Sequence, residues 1–222
     1  MLVEAVDVSA GRGVALPPTS LSFRTGEAAF ARVETAQRPT VLGLVVTGRM
    51  RTATGHVHLD GSPDRRGLRR RLALVDAPDV SEPATDVSIA GVVAEELMFA
   101  GRVAHPRAVT RALEQLGLAG RARHPLSSLA PLDRIRMLTE LALLRPGVEG
   151  LVLVSPDRHG GDPARWWDHA RRLAARDLAV LVVAGQASGA ALDASAGHPP
   201  TSHATDEVEP LFPRHWSLEE HL

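Results

Sequence analysis

Apolar and polar positions first alternate with a period of two. Leu2, Val3, Ala5, Val6 and Val8 interleave with Glu4 and Asp7 until Gly11-Arg12-Gly13 breaks the pattern. Leu21-Ser22-Phe23 then precedes Thr25-Gly26-Glu27. Such alternation between turn residues predicts a hairpin of half-buried strands. A further apolar stretch, residues 28–33, runs into the polar segment Glu34-Thr35-Ala36-Gln37-Arg38-Pro39-Thr40. Residues 41–50 are largely apolar, with Thr40 placed to cap a helix and Pro39 just before it; the β-branched content also permits a strand. Val57 and Leu59 then alternate with His56 and His58 between turn glycines, which predicts a strand ending at Asp60-Gly61.

The period changes after residue 72. The basic stretch Arg65–Arg71 is read as a solvated face leading into an apolar strand at 72–75, and Pro78 and Pro83 mark a long loop. Over 87–102, Ile89, Val92, Val93, Leu97 and Met98 form one helical stripe opposite Glu95 and Glu96. Residues 107–118 predict a second amphipathic helix. Leu126-Ser127-Ser128 is read as opening a third, which carries Leu132, Ile135, Leu138, Leu141 and Leu144 to Pro146-Gly147. Two short apolar runs, 151–154 and 178–184, flank a helix at 163–176. Buried strands alternating with helices predict a largely parallel sheet covered on both faces. After Gly185 the chain turns to small and polar residues, so 187–222 is read as a flexible tail, with Leu211, Phe212, Trp216 and Leu218 as candidates to dock.

Composition narrows the chemistry. All 25 basic residues are Arg, and neither Lys, Cys nor Tyr occurs among the 222 positions. Schiff-base lysines, cysteine nucleophiles, thiolate zinc sites and disulfides are therefore excluded, as is a phosphate-gripping P-loop lysine. A net charge of -1 gives no electrostatic footprint for nucleic acid. The apolar runs fall well short of the roughly 20 residues that a membrane span needs. With no leader-like segment at the amino end, the cytosol is the expected compartment.

The order of pieces resembles the ATP-binding subunit, or nucleotide-binding domain, of ABC transporters. The resemblance covers residues 1–186 and is carried by the antiparallel start, the segment 33–40 where a P-loop belongs, Thr47-Gly48-Arg49-Met50, and Thr54-Gly55 with Val57, Leu59 and Gly61. It continues with Leu126-Ser127, Arg145-Pro146 and Gly160-Gly161-Asp162-Pro163. It implies an α/β fold of P-loop NTPase type: a mixed sheet with an antiparallel amino-terminal part and a small helical subdomain at about 87–145. ATP and Mg²⁺ are the cofactors of that family, yet its motifs are altered in this chain. The segment 33–40 lacks both glycines, and the lysine position falls on Pro39 or beside Arg38. Arg38 and Thr40 are the residues left there for weak contact with nucleotide. Ser155 and Pro156 stand where the metal-holding and water-polarising carboxylates belong, Gly185 replaces the switch histidine, and Asp76 falls near the position of the glutamine that links nucleotide to the helical subdomain. Asp157 would supply a metal-side carboxylate only with a one-residue shift. Leu126-Ser127-Ser128-Leu129-Ala130 keeps the signature serine and loses its glycines.

The expectation is thus a pseudo-ATPase with no catalytic residue and no resident metal. It would act through a protein partner, an ABC permease or an ATPase subunit in a homo- or heterodimer, at the cytoplasmic face of the membrane. Ser127, Asp162 and Trp167 are the candidate interface residues. Two alternatives stand beside this reading: a free-standing binding or regulatory module, and an active ATPase with unusual motifs. Elsewhere, His56 and His58 share a strand face without an assignable third ligand. His159, Asp162 and His169 form a local group, and His198, His203, His215 and His221 lie in the tail.

Overall fold

The computed structural model describes residues 1–34 and 39–196. The described residues form two compact units, one built from residues 1–82 with 147–196 and the other containing residues 83–146.

In the first unit, strands β1 (Leu2–Ala10), β2 (Leu16–Arg24) and β4 (Thr54–Leu59) form an antiparallel sheet in the order β2-β1-β4. The predicted hairpin and the Val57-Leu59 strand are both found in it. A bulge interrupts β1 between Ala5 and Val8, where Asp7 takes a left-handed conformation and its N–H donates to Ser20 Oγ at 2.9 Å. Gly55 lies across from this bulge at φ +68, and a Cβ there would strike the Val6 and Asp7 carbonyls. Strands β3 (Ala28–Arg32), β5 (Leu72–Val75), β6 (Gly150–Val154) and β7 (Ala179–Ala184) form a parallel sheet in the order β3-β7-β6-β5.

Alternate residues of this sheet serve two faces. Leu74, Val152, Val154, Leu181 and Val183 share one core with the antiparallel sheet and with helix α1 (Pro39–Val46). On the other face, Phe30 of β3 stacks on the buried Trp166 of helix α6 (Pro163–Ala174), with ring centroids 6.2 Å apart. Helix α1 approaches β5 and β6 closely at Gly43, where a Cβ would come to 2.8 Å from Leu74 Cδ1 and 2.9 Å from Val154 Cγ2. The helix ends earlier than residue 50, because Thr47 Oγ1 bonds back to the Gly43 carbonyl at 2.7 Å and Gly48 turns left-handed at φ +69.

Three sequence readings need correction. The arginine-rich stretch is helix α2 (Arg65–Arg71), capped by Asp64 Oδ1 accepting from the Gly67 N–H at 2.8 Å and anchored by the fully buried Leu68. Arg71 at its end pairs with both Asp60 and Glu149, at 2.8 and 2.7 Å. The Leu2 N–H, and after it the Arg71 guanidinium, hold the Asp60 carboxyl below its ordinary range. Second, Leu126–Ser128 is an isolated 3-10 turn, and the third helix begins at Pro131, a residue suited to the first turn. Third, within the stretch read as tail, Gln186–Ala196 forms helix α7, held by an Arg32–Asp193 ion pair. Residues 197–222, including the tail's apolar and histidine candidates, lie outside the described residues.

The second unit contains helices α3 (Ile89–Phe99), α4 (Pro106–Gln115) and α5 (Pro131–Ala142). Its interior holds Ile89, Val92, Val93, Leu97, Leu113, Ile135 and Leu138; of the predicted α3 stripe only Met98 departs, lying exposed near the end of the helix. Ser88 caps α3 through the Gly91 N–H, and the Arg145 guanidinium meets Glu96 at 2.7 Å. Among the described residues no helix is long and apolar enough to cross a membrane.

Gly43→Val forces a branched side chain into the close approach of α1 to the sheet and should lower stability by about 1–3 kcal/mol in denaturant unfolding. Gly120→Ala, where a Cβ meets nothing within 4 Å, should stay within about 0.5 kcal/mol of the parent.

Candidate functional site

In open α/β sheets, ligands bind in the crevice outside the carboxyl ends of the strands. In this chain those ends bring together Glu34 after β3, Gly185 after β7, the Ser155–His159 segment after β6 and Asp76 after β5. A small cleft of ≈ 220 Å³ lies there, lined by Glu34, Pro39, Ser155, Asp157, Arg158 and Gly185 among others.

The local backbone is unusual at two strand ends. Ser155 leaves β6 in a left-handed conformation (φ 47, ψ 53), and its N–H still donates to the Val183 carbonyl at 2.7 Å. Pro156 then opens a 3-10 turn over Pro156–His159. Asp76 leaves β5 at φ 56 and is 1% exposed. A carboxylate so buried requires a partner, since isolated burial of a charge is strongly unfavourable. His159 Nε2 lies 2.8 Å from its Oδ2, and the Arg158 guanidinium lies 3.1 Å from its Oδ1. The same Arg158 nitrogen lies 3.1 Å from Glu82 Oε1. The other terminal nitrogen of Arg158 donates to the carbonyls of Val154 and Ser155, at 2.9 and 3.2 Å.

A second set of bonds closes the neighbouring strand ends. Asp157 Oδ2 accepts from the Gly185 N–H at 2.9 Å and from Ser188 Oγ at 3.2 Å. Glu34 Oε1 accepts from the Gln186 N–H at 2.8 Å. Three carboxylates thus anchor the turns at β5, β6 and β7, and a single guanidinium links two loops. Asp76, Glu82 and His159 also bring one ligand atom each within 4.8 Å of one another, a donor set a divalent cation can use. The Arg158 guanidinium already bonds both carboxylates of that set.

The sequence-predicted site residues are dispersed. Arg38 lies outside the described residues. Thr40, on the first turn of α1, donates its hydroxyl to the Pro78 carbonyl at 3.5 Å. Ser127 sits exposed in the 3-10 turn of the helical unit, its N–H bonded to the Thr85 carbonyl at 2.9 Å. Asp162 caps α6 by accepting from the Ala164 N–H at 2.9 Å. Trp167 is half-buried, edge-on to Phe30 at 5.8 Å. His159 pairs with Asp76 rather than with Asp162, and His169 is buried on α6. His56 and His58 do share a face, with ring centroids 4.4 Å apart. Sequence reasoning missed Arg158 and Glu82 entirely. The only signal for them was their place after adjacent parallel strands.

A mixed fold of this kind, an antiparallel sheet beside a parallel one with a helical unit entering between β5 and β6, is that of the ATP-binding domains of ABC transporters. Two solved structures illustrate the likeness. One is described as an ABC transporter ATP-binding protein from Pyrococcus furiosus, with a TM-score of 0.60, 14% identity, and coverage of 84% of this chain and 92% of that one. The other is a nucleotide-free ATP-binding cassette from an ABC transporter, with a TM-score of 0.59, 16% identity, and coverage of 83% and 81%. No protein-family model and no curated protein matches the sequence. At these identities the likeness is one of fold.

Arg158→Met removes the guanidinium from the buried Asp76 carboxylate and should cost roughly 3 kcal/mol in denaturant unfolding, as breaking a buried pair does. Adding Asp76→Asn to that variant should recover part of the loss, a coupling that a double-mutant cycle reads directly.

Proposed function

We propose that this chain is an ABC-type ATP-binding domain in fold that carries out no phosphoryl transfer and acts through a protein partner. The observation that carries this reading is the bonding at the strand ends. A working site there needs donors aimed at phosphates and carboxylates aimed at Mg²⁺. The groups present are committed elsewhere: Asp157 to Gly185 and Ser188, Asp76 to His159 and Arg158, and the Thr40 hydroxyl to the Pro78 carbonyl. Glu34 adds a negative charge to the cleft. Pro156 follows Ser155 where the family has its carboxylates, and no lysine exists to reach a phosphate. These residues do not fit Mg²⁺-ATP, and no catalytic step is drawn through it. Each lost electrostatic element is worth about 10²–10³ in rate, so several together remove catalysis.

The partner in this reading is an ABC permease or an ATPase subunit, engaged in a homo- or heterodimer at the cytoplasmic face of the membrane. Ser127 and Asp162 stand at the positions the family resemblance gives to such contacts, Trp167 joins them by its place on helix α6, and the role of the chain is to support or regulate a competent half.

Titration calorimetry with Mg²⁺-ATP and Mg²⁺-ADP, paired with a phosphate-release assay, tests the first part. The expected result is no saturable binding and no turnover above a protein-free blank; micromolar binding with turnover would overturn it. Co-purification of the tagged chain with multi-span membrane proteins from its own cells tests the second, and a permease recovered with it is the expected result. Failure to recover one favours the free-standing regulatory module.

A further inference from the structure

The first unit also carries a larger cavity of ≈ 410 Å³ between the end of α1, helix α2 and strand β4. Its apolar lining comes from Val45, Met50, Val57 and Leu68, with Arg51 and Arg65 as the charged members. Volume and lining match the size and character of small-molecule sites, which hold an apolar body and fix it with a few polar groups.

The charge around this cavity is one-sided. Helix α2 contributes Arg65, Arg66, Arg69 and Arg70, and Arg51 lies on the loop after α1. Among the described residues none of these five forms an ion pair with a carboxylate, whereas Arg71 on the same helix takes two. Of these, Arg51 and Arg65 line the cavity and Arg69 bonds to its Gly48 edge, so the guanidinium groups at the cavity give it a local positive field. The backbone also arranges them. The Gly48 carbonyl accepts from Arg65 at 3.2 Å and from Arg69 at 3.4 Å, which draws both side chains toward the cavity's Gly48 edge. Gly48 is required for this, because φ is +69 and a Cβ would meet the Arg65 carbonyl oxygen at 2.8 Å. A guanidinium has five N–H donors in a planar fork, so one bond to Gly48 leaves Arg65 free to grip a carboxylate or phosphate. Arg51 is exposed and has no partner among the described residues.

We propose that this cavity binds a small amphipathic anion, with a carboxylate or phosphate head held by Arg51 and Arg65 and an apolar body seated on Val45, Met50, Val57 and Leu68. A nucleic-acid ligand is disfavoured because no aromatic side chain lines the cavity for base stacking.

The test is a calorimetric titration of the full chain with decanoate and with decyl phosphate, each kept below its critical micelle concentration. Inorganic phosphate and vesicles of mixed phosphatidylglycerol and phosphatidylcholine serve as separate arms. Both amphiphiles should saturate at one site per chain, with affinity falling as NaCl rises. Arg51→Glu and Val57→Phe, which fills the floor, should each weaken binding by about tenfold or more. Inorganic phosphate should bind at least about tenfold more weakly than decyl phosphate, since it lacks the apolar body. Absence of saturable binding, parent-like affinity in both variants, or phosphate binding as tightly as its decyl ester would each overturn the proposal. Binding to vesicles but not to the free amphiphiles would overturn it in favour of a membrane surface. Arg51 lies on an exposed loop without partners, so Arg51→Glu tests the site even if Val57→Phe does not fold.

Discussion

A carboxylate at the end of β5 with 1% of its surface exposed imposes the condition that the strand ends must meet. Asp76 requires compensation, and the chain supplies it from the segment after β6 through Arg158 and His159. Arg158 has further obligations to Glu82 and to two carbonyls, so one side chain fixes the exit of β6, the loop after β5 and the buried charge together. Asp157, the residue before it, points to the exit of β7 instead. Consecutive residues of one short turn thereby tie three adjacent strand ends. The left-handed Ser155 directs them, since it lets the chain reverse directly into the 3-10 turn.

That arrangement separates scaffold from chemistry. The scaffold comprises two sheets, α1 packed against the parallel sheet at Gly43, α6 beneath β3, and a three-helix unit. Such folds hold their activity in sites placed on them, so the fold alone does not carry a reaction. Where bonds that would be offered to a ligand are instead satisfied within the protein, they add stability and order but give nothing to a transition state. The cleft at the strand ends and the arginine-rimmed cavity beside α2 differ in this respect. The first is closed by internal pairs, whereas the second keeps its cations unpaired.

Much of the fold was legible in the sequence because burial periodicity is local information. Alternation in residues 2–8 and 56–59 gave the antiparallel strands, and the short runs before Asp76, Ser155 and Gly185 gave the parallel ones. Helix α2 escaped because only Leu68 is apolar among seven residues, leaving no stripe to recognise. Helix α7 escaped because its small residues resemble linker composition, although Ala favours helix. The candidate site was less legible. Asp157 and Asp76 were recognised as altered positions, but the pairing of Asp76 with His159 joins residues 83 positions apart, and only the adjacency of β5 and β6 brings them together. Thr40, Ser127, Asp162 and Trp167 each have a local structural partner that sequence order does not reveal.

The central claim is that the strand-end network stands in place of nucleotide machinery. A ligand that binds only the native state raises its stability by RT ln(1 + [L]/Kd), about 2.7 kcal/mol at a hundred times Kd. Thermal unfolding of the full chain with and without millimolar Mg²⁺-ATP therefore tests the claim most directly. The account predicts coincident unfolding curves. An increase of several degrees in Tm, reproduced with Mg²⁺-ADP and lost on chelation of the metal, would contradict it.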